Sequence, residues 1–149
     1  MFTENPGLER ENHPPLGHRA RVLVVDDDLD LLSVVSKILE EEGYAAECAS
    51  GGRSALERLR REPLPDIVVV DLMMPAMDGA TFIAELKAQP ALSRITIVVM
   101  SGGGGHLLNL APVSAGYLEK PVSRDRLVGT LAACLARRGW APGNDTFGD

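Results

Sequence analysis

Three stretches of the chain are almost continuously apolar and rich in β-branched residues: 22–25 (VLVV), 67–70 (IVVV) and 95–100 (ITIVVM). Unbroken hydrophobicity over four to six residues is the pattern of a strand covered on both faces, as in a parallel sheet. Weaker strands are expected over 44–49 and 116–119. The intervening segments read as helices. Leu31, Val34, Val35, Ile38 and Leu39 share one apolar stripe, which Gly43 ends just after Glu40, Glu41 and Glu42. Ala55, Leu56 and Leu59 recur at helical spacing over 53–61, before Pro63 and Pro65 interrupt the pattern. A third helix is expected over 79–88 with Phe82, Ile83 and Leu86 inward and Pro90 beyond its end. The last follows Pro121, with Ser123 as its cap and Leu127, Leu131 and Leu135 at successive i+4 steps.

Strands alternating with helices imply right-handed βαβ crossovers and therefore an α/β, doubly wound, five-stranded parallel sheet with helices on both faces. The pattern predicts a flexible N-terminal tail over 1–20, where Pro6, Gly7, Pro14, Pro15 and Gly17 interrupt a polar stretch, one domain over 21–138, and a C-terminal tail over 139–149. With 149 residues, 45% apolar and 24% charged, one globular domain is expected and no second. A formal charge of -6 with scattered Lys and Arg argues against nucleic-acid binding. Cys48 and Cys134 have no metal-type or disulfide-framework spacing, and no run resembles a signal peptide or membrane span, so a cytoplasmic location without membrane contact is expected.

In a doubly wound sheet, chemistry gathers beyond the C-terminal ends of the strands, where the strand order reverses. Four strands end in reactive types: Asp26, Asp27 and Asp28 after the first, Asp71 at the third, Ser101 at the fourth and Lys120 after the fifth. Carboxylates meeting at one rim would repel by roughly 4 kcal/mol per close pair at an effective dielectric of about 20, which calls for a cation. A hard divalent ion and Lys120 together answer that requirement.

The blocks VLVVDDD, DIVVVDLMMPAMDG, ITIVVMS and GYLEKPV resemble the signature blocks of response-regulator receiver domains over about residues 21–138. Asp71 stands 45 positions after Asp26 and 30 before Ser101, both usual for that family. The resemblance implies a flavodoxin-like (βα)5 receiver fold and a stand-alone, single-domain signalling protein that assists its own phosphotransfer and dephosphorylation and is not an enzyme. It implies Asp71 as phosphoacceptor and a Mg²⁺ site, with Mn²⁺ able to take its place. Asp26, Asp27 and Asp71 would hold the ion with the backbone carbonyl of Met73, Asp27 being favoured over Asp26 as direct ligand. Lys120 would pair with the phosphoryl group, Ser101 would turn toward it, and Tyr117 stands where the family keeps a rotating aromatic. The implied partners are a sensor histidine kinase or histidine phosphotransfer protein as donor and a downstream protein target.

The interval from Ser101 to Lys120, 19 positions, is shorter than usual for the family and opens with Gly102 to Gly105. A shortened or irregular fourth helix is therefore expected, as a loop that orders when Asp71 is phosphorylated. Met73, Met74 and Met77 read as loop packing, and Trp140 as packing back on the domain. Two other functions compete with the phosphoacceptor. A docking module on the same fold would not need the full acidic set, and an aspartyl phosphatase would carry a second Asp where Met73 stands.

Overall fold

The computed structural model describes residues 19–102 and 114–139. Five strands, β1 (Arg21–Val25), β2 (Ala45–Ala49), β3 (Ile67–Asp71), β4 (Thr96–Ser101) and β5 (Gly116–Glu119), form one sheet in the order β2-β1-β3-β4-β5. Every neighbouring pair is parallel. Four α-helices accompany them among the described residues: α1 (Leu29–Glu41), α2 (Gly52–Arg58), α3 (Gly79–Lys87) and α4 (Arg124–Arg137), with a 3₁₀ turn at Pro90–Leu92 after α3. This is the doubly wound parallel sheet expected from the alternating pattern, in the flavodoxin-like order that the resemblance implied. The shortened helix expected between β4 and β5 falls on 103–113, outside the described residues, as do most of the expected N-terminal tail and the expected C-terminal tail from Trp140 onward.

The strands divide their side chains by period two between two cores. Val22, Val24, Ile67, Val69, Val98, Met100 and Leu118 pack beneath α1 and α4, against Leu32, Val35, Leu39, Leu127, Leu131 and Leu135. Leu23, Val25, Val68, Val70, Ile97 and Val99 pack beneath α2 and α3, against Ala55, Phe82, Ile83 and Leu86. β3 lies at the centre and is buried at all five positions, Asp71 included. The continuous apolar runs are thus strands with a helix layer on each side.

One detail of the helix reading changes. The buried stripe of α1 is centred on Leu32, Val35 and Leu39, with Leu31 and Ile38 at its flank, while Val34 is 58% exposed. At 100° per residue Val34 lies roughly 130° round the helix from that centre. The stop at Gly43 is as expected: its φ is +96°, in the left-handed region that glycine occupies without steric cost.

Two contacts fix the ends of the domain. Ala20 is buried, and its carbonyl accepts from Ala45 N–H at 2.8 Å, so packing begins just before β1. At the other end Arg138, which caps α4, turns its guanidinium under the sheet. Its Nη1 lies 2.9 Å from Asp66 O, 2.8 Å from Arg94 O and 3.0 Å from Thr96 Oγ1. Asp66 also accepts from Arg21 N–H at 2.8 Å, so the starts of β1, β3 and β4 are tied to the last helix through one cluster. Replacing Arg138 by Ala leaves these acceptors without their charged donor and is expected to lower stability by about 1–3 kcal/mol. The expected signature is a lower urea midpoint with an unchanged slope, and Arg138→Lys recovers only part of the loss because an ammonium lacks the planar fork.

Candidate functional site

The strand order reverses between β1 and β3, whose crossovers run to opposite sides, and the C-terminal ends of these two strands lie side by side. Asp26 follows β1 and Asp71 ends β3. Both are buried, as is Ser101 at the end of β4, and no other charged or polar residue is buried among the described ones. Asp26, Asp27 and Asp71 each offer a carboxylate oxygen within 4.8 Å of the others, with Asp27 on the exposed side. The three acidic residues expected at one rim therefore do converge.

Lys120 arrives from β5. Its backbone N–H donates to Ser101 O at 2.9 Å, which extends the β4–β5 pairing by one step and sets the start of its side chain over the strand ends. The ammonium then reaches both buried acids, at 2.9 Å from Asp26 Oδ2 and 3.1 Å from Asp71 Oδ2. Burial pushes the Lys120 pKa down, but the two carboxylates outweigh it and the net shift is upward, so the group stays cationic. For Asp71 the balance goes the other way. Burial raises its pKa, helped by the charge of Asp26, and this exceeds the opposing pull of the Met73 N–H and the Lys120 ammonium.

Backbone donors orient the two acids. Asp28 N–H donates to Asp26 Oδ1 at 2.9 Å, and Met73 N–H donates to Asp71 Oδ1 at 3.1 Å. Asp28 itself caps α1, its Oδ1 accepting from Asp30 N–H and Leu31 N–H. Met73 thus lies directly beside Asp71, with its side chain 60% exposed. Tyr117 is half-buried, in register with Val99 on the side of the sheet opposite Leu118, and its hydroxyl is buried with no hydrogen-bond partner among the described residues.

The donor set suits a hard divalent cation. All three acids offer oxygen, and buried Asp26 Oδ2 is matched only by its ion pair with Lys120 among the described residues. Asp26, Asp27 and Asp71 would hold such an ion, with the Met73 carbonyl on the adjoining loop.

Four further features shape this region. The acidic run 26–28 also suits a helix cap, and Asp28 is the member that serves as one. Asp78 caps α3 by accepting from Thr81 N–H at 2.8 Å, which lowers its pKa. Ala76 has a φ of +68° at the centre of a γ-turn closed by Met77 N–H to Pro75 O at 2.7 Å, a conformation an L-residue seldom adopts. Gly79 packs against the backbone of Asp71 and Leu72, a proximity that no local sequence signal announces.

Comparison with known proteins gives one family. A family model described as the response regulator receiver domain matches residues 22–132. The transcriptional regulatory protein PrrA of Mycobacterium leprae (strain TN) is 36% identical over 122 residues, which is 80% of this chain and 51% of that protein. The chain thus spans about half the length of this curated relative. Among solved structures, the chemotaxis protein CheY4 of Vibrio cholerae superposes with a TM-score of 0.73 at 28% identity, covering 78% of this chain and 98% of that one. A sensor protein from Polaromonas sp. JS666 gives a TM-score of 0.75 at 29% identity, covering 81% and 99%.

The upward shift of Asp71 has a consequence for stability. A carboxyl whose pKa is higher folded than unfolded contributes less stability as pH rises and it ionises, because its charge is better tolerated in the unfolded chain. In Mg²⁺-free buffer, Asp71→Asn is expected to raise the melting temperature at neutral pH. The difference between variant and parent should shrink as pH is lowered through the Asp71 titration, as measured by thermal unfolding at a series of pH values.

Proposed function

The chain belongs to the response regulator receiver domain family, and from that premise we propose that Asp71 is the residue that accepts a phosphoryl group from a phosphohistidine donor. The observation that carries this reading is the contact of one ammonium, Lys120, with two buried carboxylates beside a third acid. An ionised carboxylate attacks phosphorus without a general base, so the protein's contribution is position and charge. As the Asp71 O–P bond forms, the N–P bond of the donor breaks and the imidazole leaves with the electron pair. Met73 N–H holds one oxygen of Asp71, and Lys120 stands 3.1 Å from the other, close enough to reach an added phosphoryl oxygen without leaving the rim. Ser101, buried one position beyond the residue paired with Asp71, supplies a hydroxyl at the same edge of the sheet. Mg²⁺, or Mn²⁺ in its place, would be held by Asp26, Asp27, Asp71 and the Met73 carbonyl and would supply neutralising charge to the phosphoryl oxygens.

In this reading the donor is a sensor histidine kinase or histidine phosphotransfer protein in the cytoplasm, and the domain over 21–138 signals through a protein target or serves as one station of a phosphorelay. Tyr117 is its moving aromatic. PrrA is named a transcriptional regulator, but the formal charge of -6 here favours a protein partner over DNA as the output of this chain.

Incubation with Mg²⁺ and acetyl phosphate, followed by intact-mass measurement, is expected to add one phosphoryl group to the parent and none to Asp71→Asn. Lys120→Met is expected to retain Mg²⁺ binding but to accept the group far more slowly, at least 10²-fold for loss of a donor aimed at developing charge. Equal labelling of parent and Asp71→Asn would refute the assignment.

A further inference from the structure

The loop from β3 to α3, residues 72–78, carries the Met73 amide that orients Asp71 and the Met73 carbonyl assigned to the metal. It is closed at its base by Gly79. Gly79 N–H donates to Leu72 O at 3.1 Å, and a Cβ at this position would lie 2.5 Å from Asp71 O and 2.7 Å from Leu72 Cα. Both obstacles are backbone atoms, so no side-chain rotation relieves the overlap. The φ of Gly79 is outside the left-handed region, and what the position demands is space. Gly52 offers a contrast, since a Cβ there would meet only the flexible side chain of Met77.

Two further contacts hold the loop in this shape. Asp78 caps α3 through Thr81 N–H, which sets the entry of the chain into the helix. The γ-turn at Ala76 tightens the far side of the loop. The loop therefore departs from the end of β3 and returns to touch the peptide of the very residue at which it began.

We infer that Gly79, seated against the Asp71 peptide, and Asp78, which caps the helix behind it, are positioning residues that fix the Asp71 carboxylate and the Met73 carbonyl for the cation. The inference rests on the phosphoacceptor reading of the site. Any side chain at 79 displaces the Asp71–Leu72 peptide or lifts α3 away from it, and either movement misaligns oxygens that Mg²⁺ accepts only in near-octahedral geometry.

The test uses the full chain and four substitutions. Gly79→Ala is expected to weaken Mg²⁺ binding, measured by isothermal titration, by about tenfold or more, the usual effect of disturbing groups that orient metal ligands. Asp78→Ala is expected to weaken it less, and Asp78→Asn, which keeps the cap, to restore it to near the parent value. Val35→Ala lowers stability from the opposite sheet face and is expected to leave Mg²⁺ affinity unchanged. A second readout needs no metal: the Met73 amide proton, hydrogen-bonded to Asp71 Oδ1, is expected to shift in the spectra of Mg²⁺-free Gly79→Ala and Asp78→Ala, but not in Val35→Ala.

Should Gly79→Ala fail to fold, the two Asp78 variants decide. Parental Mg²⁺ affinity and an unmoved Met73 amide in Asp78→Ala would overturn the inference, as would equal loss of affinity in Val35→Ala. A parent protein that takes neither Mg²⁺ nor phosphoryl group would instead sink the functional reading, while the Met73 amide would still report on the loop.

Discussion

Asp26 and Asp71 are withdrawn from water at the ends of adjacent strands, with ligand oxygens close enough that two charges would repel by roughly 4 kcal/mol at an effective dielectric of about 20. One ammonium makes that arrangement tenable. Lys120 is brought to both acids by a strand that lies three places away from β1 in the sheet, so the compensation exists only when β1, β3, β4 and β5 are all paired. Folding and site assembly are therefore one event. Among the described residues the compensation is also incomplete, because three acids meet one fixed cation at the rim, and this residual negative charge suits a divalent ion.

The remaining geometry is set by backbone groups at strand and helix ends. Each buried acid has one oxygen held by the amide two residues further on, Asp28 for Asp26 and Met73 for Asp71. Each of those amides belongs to a segment that enters a helix through an aspartate cap. The caps thus serve the helices and the acids together. Rigid elements define where the carboxylates point, leaving the more exposed side, where Asp27 and Met73 lie, open to an incoming group.

Much of this was legible along the chain. Strands buried on both faces announce themselves by unbroken runs of Val and Ile, and α3 and α4 by Phe82, Ile83, Leu86, Leu127, Leu131 and Leu135, all of which are buried. The reading of α1 was less sharp because Leu31, Leu32, Val34, Val35, Ile38 and Leu39 form an apolar arc of roughly 160°, wider than the face that packs, and hydrophobicity alone could not say which flank faces the sheet. The acids and Lys120 could be found because a parallel sheet brings its strand ends to one edge, which turns distant positions into neighbours. Gly79, Ala76 and Arg138 could not. Their roles depend on which backbone atoms lie within a few ångströms, and those atoms belong to other elements or to a loop of irregular shape.

Periodicity and residue type by themselves determined the layer order, the edge of the sheet that carries the chemistry and the set of side chains available there, because burial patterns and charge are written locally. Tertiary packing alone decided that Lys120 bridges Asp26 and Asp71, that Val34 faces outward, and that a glycine eight positions after Asp71 touches its peptide. These are distances between atoms far apart or irregularly joined along the chain, and they take a definite value only once the strands are in register and the helices have closed over them.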